Sequence, residues 1–166
     1  MFELDKLENP GKTIQGEKWY FFTDSVMGGL SSGGMEIDEI ENIKCYRITG
    51  NVTTENNGGF IQIRAELNPK IKSENYSGVY LSTYGNNKKY AIHLRTTFTI
   101  APWQYYTSKF VAKNEWVKIN LPFETFTKSN YFQPKQLSYD KIKSIGVVAA
   151  FDNFKADISI SEIGFY

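Results

Sequence analysis

"TDSVMGGLSSGG", residues 23 to 34, decides how the rest of the chain is read. The stretch holds four glycines and three serines between an aromatic run and an alternating apolar run. As a phosphate loop or a nucleophile elbow it would open a helix in an α/β fold. As a turn between strands it belongs to an all-β protein. A P-loop closes on Gly-Lys-Ser/Thr at a helix start. This stretch has no lysine, and the "MEIDEI" after it alternates as a strand. Gly29-Leu30-Ser31-Ser32-Gly33 does match G-x-S-x-G, but that elbow needs a strand-to-helix turn above a parallel sheet. No helical pattern follows, and His93, the sole histidine, sits in mid-strand. The turn reading stands. Gly28-Gly29 and Gly33-Gly34 supply conformations closed to other residues. Asp24 and the serines can bond turn amides. Val26 and Met27 suggest that the loop folds back, with Met27 expected to pack on the body of the protein.

Working outward, strand-like runs recur at short intervals. They are "EKWYFF", "MEIDEI", "KCYRITGNV", "GFIQIRAEL", "SGVYLSTYG", "KKYAIHLRT", "QYYTSKFVA", "EWVKINLPF", "SIGVVAA" and "DISISEIGFY". Most alternate with period two, the mark of half-buried strands. Ile61, Ile63 and Ala65 oppose Gln62, Arg64 and Glu66; Ile92 and Leu94 oppose His93 and Arg95. "NNGG", "YGNNKK", "AKNE" and "FDNFKA" punctuate the runs as turns. Helical signal is confined to one or two turns over residues 2–8 and a short segment over 136–144. This pattern predicts an all-β sandwich or barrel. One domain is expected over 1–166, with 1–16 as an N-terminal extension packing on the sandwich.

Composition narrows the function. Nineteen basic residues balance eighteen acidic ones, so a general nucleic-acid binder is not expected. Aromatics form 16% of the chain, which suits pleated, half-buried surfaces. The single cysteine, Cys45, excludes an internal disulfide and is read as a small strand residue. The N-terminus reads neither as a secretory signal nor as a transit peptide, and no run approaches the roughly 20 apolar residues of a membrane span. A cytoplasmic, non-spanning protein is the expectation. Acids are scattered by alternation, so no metal site is assigned.

Two motifs carry a resemblance. "DSVMGGLSSG", after the aromatic "KWYFF", and "NNGGFIQIR" resemble the hallmarks of the complex I intermediate-associated protein 30 family. "EWVKINLPFETF" and the closing "IKSIGVVAAFDNFKADISISEIGFY" are similar to its later strands. The resemblance runs over about residues 17–166. It departs from the family at "TKSNYFQPK", where an Arg-Gly is frequent. It implies a jelly-roll β-sandwich of the galactose-binding-like type. It also implies a non-catalytic assembly factor or chaperone for NADH:ubiquinone oxidoreductase, needing no cofactor. Without a targeting segment, a mitochondrial role does not come with it. A carbohydrate- or small-ligand-binding module of the same fold is the alternative, and an enzyme of unknown type ranks third. The partner is accordingly a protein, such as a membrane-complex subunit, or a glycan.

Candidate binding residues fall in three groups. The glycine loop offers Asp24, Ser25, Met27, Gly28, Gly29 and Ser31, and the second motif offers Asn57 and Gly59. Gln62, Arg64, His93 and Arg95 alternate away from apolar neighbours, and arginines on one face could contact carboxylates, amide oxygens or sugar hydroxyls. Trp103, after a proline, could stack on a sugar ring or anchor a partner; Tyr105 and Tyr106 read first as core or edge aromatics. Arg64 and Arg95 either share a sheet, with Trp103 at its rim and the glycine loop nearby, or are separate surface residues with local ion pairs.

Overall fold

A computed structural model describes residues 1–137 and 140–166, and for Asn57 the backbone alone. The strands are β1 (Phe2–Asp5), β2 (Tyr20–Thr23), β3 (Ser32–Ile40), β4 (Ile43–Val52), β5 (Phe60–Lys72) and β6 (Gly78–Tyr84). The second half adds β7 (Lys88–Thr96), β8 (Tyr106–Ala112), β9 (Val117–Pro122), β10 (Thr127–Lys128), β11 (Lys141–Ala150) and β12 (Phe154–Phe165). Each of the ten strand-like runs contains a strand, and the described residues hold 3₁₀ turns but no α-helix.

The strands form two antiparallel sheets. One runs β3-β4-β12-β6-β9, and β1 pairs with β12 beyond the end of β4. The other runs β10-β8-β7-β11-β5-β2. Non-sequential neighbours, such as β11 between β5 and β7, are the crossovers of a jelly-roll sandwich. Period-two alternation fills the space between the sheets. Tyr46, Ile48, Leu81, Ile158 and Ile163 come from one side, and Ile61, Ile63, Ile92, Leu94, Ile145 and Val147 from the other. Tyr106 is fully buried in this core, and Cys45 is a buried strand residue.

Both short helical expectations are corrected. Residues 2–5 are a strand, because β12 outruns β4 and leaves Ile163–Phe165 free to pair with Phe2–Asp5. In 136–144, Lys141 onward is already β11, paired with both β5 and β7; Ser138 and Tyr139 lie outside the described residues. Local amphipathicity yields here to the ladder bonds of a neighbouring strand.

Candidate functional site

The glycine loop is a lock. After β2 the chain makes a 3₁₀ turn over Asp24–Met27, capped by the Thr23 side chain, and leaves it through Gly28 at φ 83°. Asp24 has no exposed surface. Its carboxylate accepts from the Ser31 amide at 2.9 Å, the Ser31 hydroxyl at 2.5 Å, the Phe60 amide at 3.2 Å and the Gly59 amide. Burial pushes its pKa up most strongly of any single cause, but these hydrogen bonds together hold the carboxyl below its usual value. A Cβ at Gly29 or Gly58 would overlap the Asp24 carboxyl, so glycine is needed there for space. The two sequence motifs are thus the two halves of one buried hydrogen-bond cluster.

This arrangement corrects several expectations. Asp24 and Ser31 are buried against each other and bind the chain to itself. Ser31 is buried, and its Oγ donates to Asp24 and accepts from the Thr53 amide at 3.0 Å, so it is no free nucleophile. Gly29 has no positive φ, unlike Gly28 and Gly59, and its requirement is steric. Met27 is 60% exposed instead of packed, because Asp24 anchors the loop in place of an apolar contact. Ser25 and Val26 are also exposed. The Asn57 side chain lies outside the described residues.

The arginines do share a face. In β5, Arg64 stands opposite Gly146 of β11, which stands opposite His93 of β7. One step along, Glu66, Ser144 and Arg95 form the next row. All point away from the core, since Ile63, Ala65, Ile145, Ile92 and Leu94 point into it. Small residues make the floor: Ala91, Ser144, Gly146 and Val148 are buried between larger neighbours. On the β2 side stand Gln62 and Arg64, with the Arg64 guanidinium 4.9 Å from the Phe22 ring centroid. On the β8 side, His93 is stacked on Tyr105 with centroids 4.0 Å apart and planes 12° apart. Phe151 leans on His93 at 6.4 Å and lies under the Lys109 ammonium at 4.1 Å. Its φ is 77°, a region a bulky residue occupies only when its surroundings force it.

Electrostatics on this face are uneven. Burial pushes the His93 pKa down to about 3, so its ring is neutral at ordinary pH. His93 Nε2, Thr107 Oγ1 and Ser144 Oγ, all on this face, have no hydrogen-bond partner within the protein. Arg95 holds the turn that carries Trp103, through Nη2 to Ala101 O at 3.2 Å and Nε to Gln104 O at 3.4 Å. Trp103, 65% exposed, therefore stands at the end of the face beyond Arg95. The glycine loop does not join it. Thr23 pairs with Ile61, so the loop leaves the sheet at the opposite end of β5 and on the far edge strand.

Sequence reasoning missed Tyr105, Thr107, Lys109, Ser144, Phe22 and Phe151 on this surface. The alternation of "QYYTSKF" carried a signal for the first three, because burying Tyr106 and Phe110 turns Tyr105, Thr107 and Lys109 outward. Phe151 carried none: it follows β11 and reaches the face through an unusual backbone angle. Two concavities lie elsewhere, one over Glu3–Gly16 and one lined by Phe123, Phe126, Lys128 and Leu137. Among the described residues no cluster of His, Cys, Asp or Glu could hold a metal, and no helix is long and apolar enough to cross a membrane.

Comparison with known proteins gives one family and one fold. The family model for complex I intermediate-associated protein 30 matches residues 8–161. No curated protein matches the sequence. The chain is similar to a family 11 carbohydrate-binding module from Clostridium thermocellum, solved with a β-1,3-1,4-mixed-linked tetrasaccharide: 15% identity, 99% of this chain and 94% of that chain, TM-score 0.74. It is also similar to the family 11 module of the cellulosomal cellulase Lic26A-Cel5E of Clostridium thermocellum, at 16% identity over 98% and 92%, TM-score 0.74. An exo-β-agarase matches at 7% identity over 100% of this chain and 25% of that one, TM-score 0.63. At such identities the likeness is one of fold.

Proposed function

The chain belongs to the complex I intermediate-associated protein 30 family, and from that premise we propose that it is a non-catalytic binding protein whose ligand is a saccharide. Its binding surface is the outward face of β5, β11, β7 and β8. The observation that carries this reading is the His93–Tyr105 aromatic stack beside the solvent-reaching polar side chains of Gln62, Arg64 and Lys109 on the same face. The outer side of the partly exposed Tyr105 ring suits the apolar face of a sugar ring, and the Gln62, Arg64 and Lys109 side chains suit its hydroxyls. The fold shared with modules that bear carbohydrate-binding names points the same way. Glycosidase chemistry would require two facing carboxylates, whereas Glu66 is the carboxylate in the two rows of this face. The same reading takes residues 1–166 as one sandwich domain, with 1–16 as its extension, consistent with the pairing of β1 and β12.

A glycan array probed with the full chain tests the proposal. Selective retention, lost in Tyr105→Ala at an unchanged melting temperature, is the expected result. Absence of retention, or full retention by Tyr105→Ala, refutes it. A second reading follows from family membership: association with subunits of NADH:ubiquinone oxidoreductase during assembly. It predicts that the tagged protein, drawn from its own cells, brings such subunits with it. Capture without any respiratory subunit would refute that reading.

A further inference from the structure

Arg64, Arg95 and Lys109 of this face stand outside the ion pairs found among the described residues, which are made by Lys6, Arg47 and Lys118. The whole chain is near neutrality at +1, so Arg64, Arg95 and Lys109, joined by Lys89 on the same side of β7, make this face locally positive against Glu66. Arg64 and Arg95 feel each other. Burial lowers the Arg95 pKa first, the charge of Arg64 lowers it further, and Glu66 opposes both. Arg64 is held by the Phe22 ring and Lys109 by the Phe151 ring, contacts that fix a cation without neutralising it. His93 adds no charge, because burial keeps it neutral.

Resting on the saccharide reading above, we propose that the ligand is an acidic polysaccharide, with sugar rings on the outer side of the Tyr105 ring and carboxylates drawn to Arg64, Arg95 and Lys109. Guanidinium groups match carboxylates in shape as well as charge. Strand spacing puts the Arg64 and Arg95 Cα atoms about 12 Å apart, across two strand intervals and two residues along. A ligand with carboxylates on successive units can engage both arginines at once.

Polygalacturonate, its fully methyl-esterified form and a neutral β-glucan separate the possibilities in affinity electrophoresis with the full chain. Polygalacturonate is expected to bind at least tenfold more tightly than either neutral polymer, and to lose affinity as sodium chloride rises. Arg64→Gln should weaken that binding about tenfold or more while the protein stays folded, its melting temperature lowered by no more than the loss of the Phe22 contact explains. Equal binding of the esterified and free polymers overturns the acidic ligand but leaves the saccharide reading in place. Equal retention by dextran sulfate also overturns it, by reducing the effect to general attraction for polyanions. Binding of no polysaccharide overturns both.

Discussion

Replacing Asp24 by alanine tests the lock that joins the two sequence motifs. The substitution strips the acceptor from the amides of Ser31, Gly59 and Phe60 and from the Ser31 hydroxyl. The hydroxyl can turn to Thr53 O, 3.2 Å away, and recovers a bond. The three amides cannot. Each buried donor left unmade costs about 1–3 kcal/mol, and the part-buried Gly59 and Phe60 amides fall at the low end, so the total is about 4 kcal/mol. For a chain of this size that lowers the melting temperature by about 8–16 °C. Asp24→Asn should cost about half as much, because the amide oxygen can replace Oδ2 while its NH₂ opposes a single amide, that of Ser31. Gly29→Ala should destabilise the native protein by about 1–3 kcal/mol through overlap with the Asp24 carboxyl, and by less in the Asp24→Ala background. Urea denaturation of the native chain, the three single variants and the double variant measures these costs. An Asp24→Ala cost below about 1 kcal/mol, or an asparagine variant weaker than the alanine one, would refute the structural role.

A second cluster ties the N-terminus down: Asp5 accepts from Leu7 N, Trp19 Nε1 and the Tyr46 hydroxyl at 2.7, 2.7 and 2.8 Å. Asp5→Ala should cost about 3 kcal/mol by the same reasoning and expose buried Trp19 to water; an unshifted fluorescence maximum contradicts it. Val26→Ser with Met27→Ser should change stability by less than about 0.5 kcal/mol, since both side chains are exposed, and a larger loss in urea would mean that the loop packs after all. Acid should act in two stages. His93 ionises in the folded protein near pH 3 but near 6.5 when unfolded, so stability falls as pH drops from 6.5 towards 3. The Asp24 contribution is complete above its unfolded value of 3.8 and is lost as pH falls through its lower folded pKa. Unfolding free energies of His93→Asn should be flatter between pH 6.5 and 4 than those of the native chain, and equal slopes would count against the buried neutral imidazole.

Alternation alone determined the class of fold and the inner and outer faces. A side chain in a strand points to one side or the other, so Ile61, Ile63, Ile92 and Leu94 marked the core and Arg64 and His93 the outside without any knowledge of pairing. The motifs determined the family for a related reason. Asp24, Gly29, Ser31, Gly58 and Gly59 meet in one cluster whose bonds and space admit few alternatives, which leaves a pattern in the sequence. Alternation could not say which strands are neighbours. That β11 lies between β5 and β7, bringing Arg64 within reach of His93 and Arg95, follows from long-range pairing between segments some 80 residues apart for β5 and some 50 for β7. Nor could it distinguish a motif that binds a ligand from one that binds its own chain. Asp24 became structural once residues 59 and 60 closed over it, and Phe151 joined the outward face through a backbone angle that no local pattern encodes. Period and composition are properties of neighbours in sequence, whereas a site on a sheet is made across strands, where tertiary packing alone sets who stands beside whom.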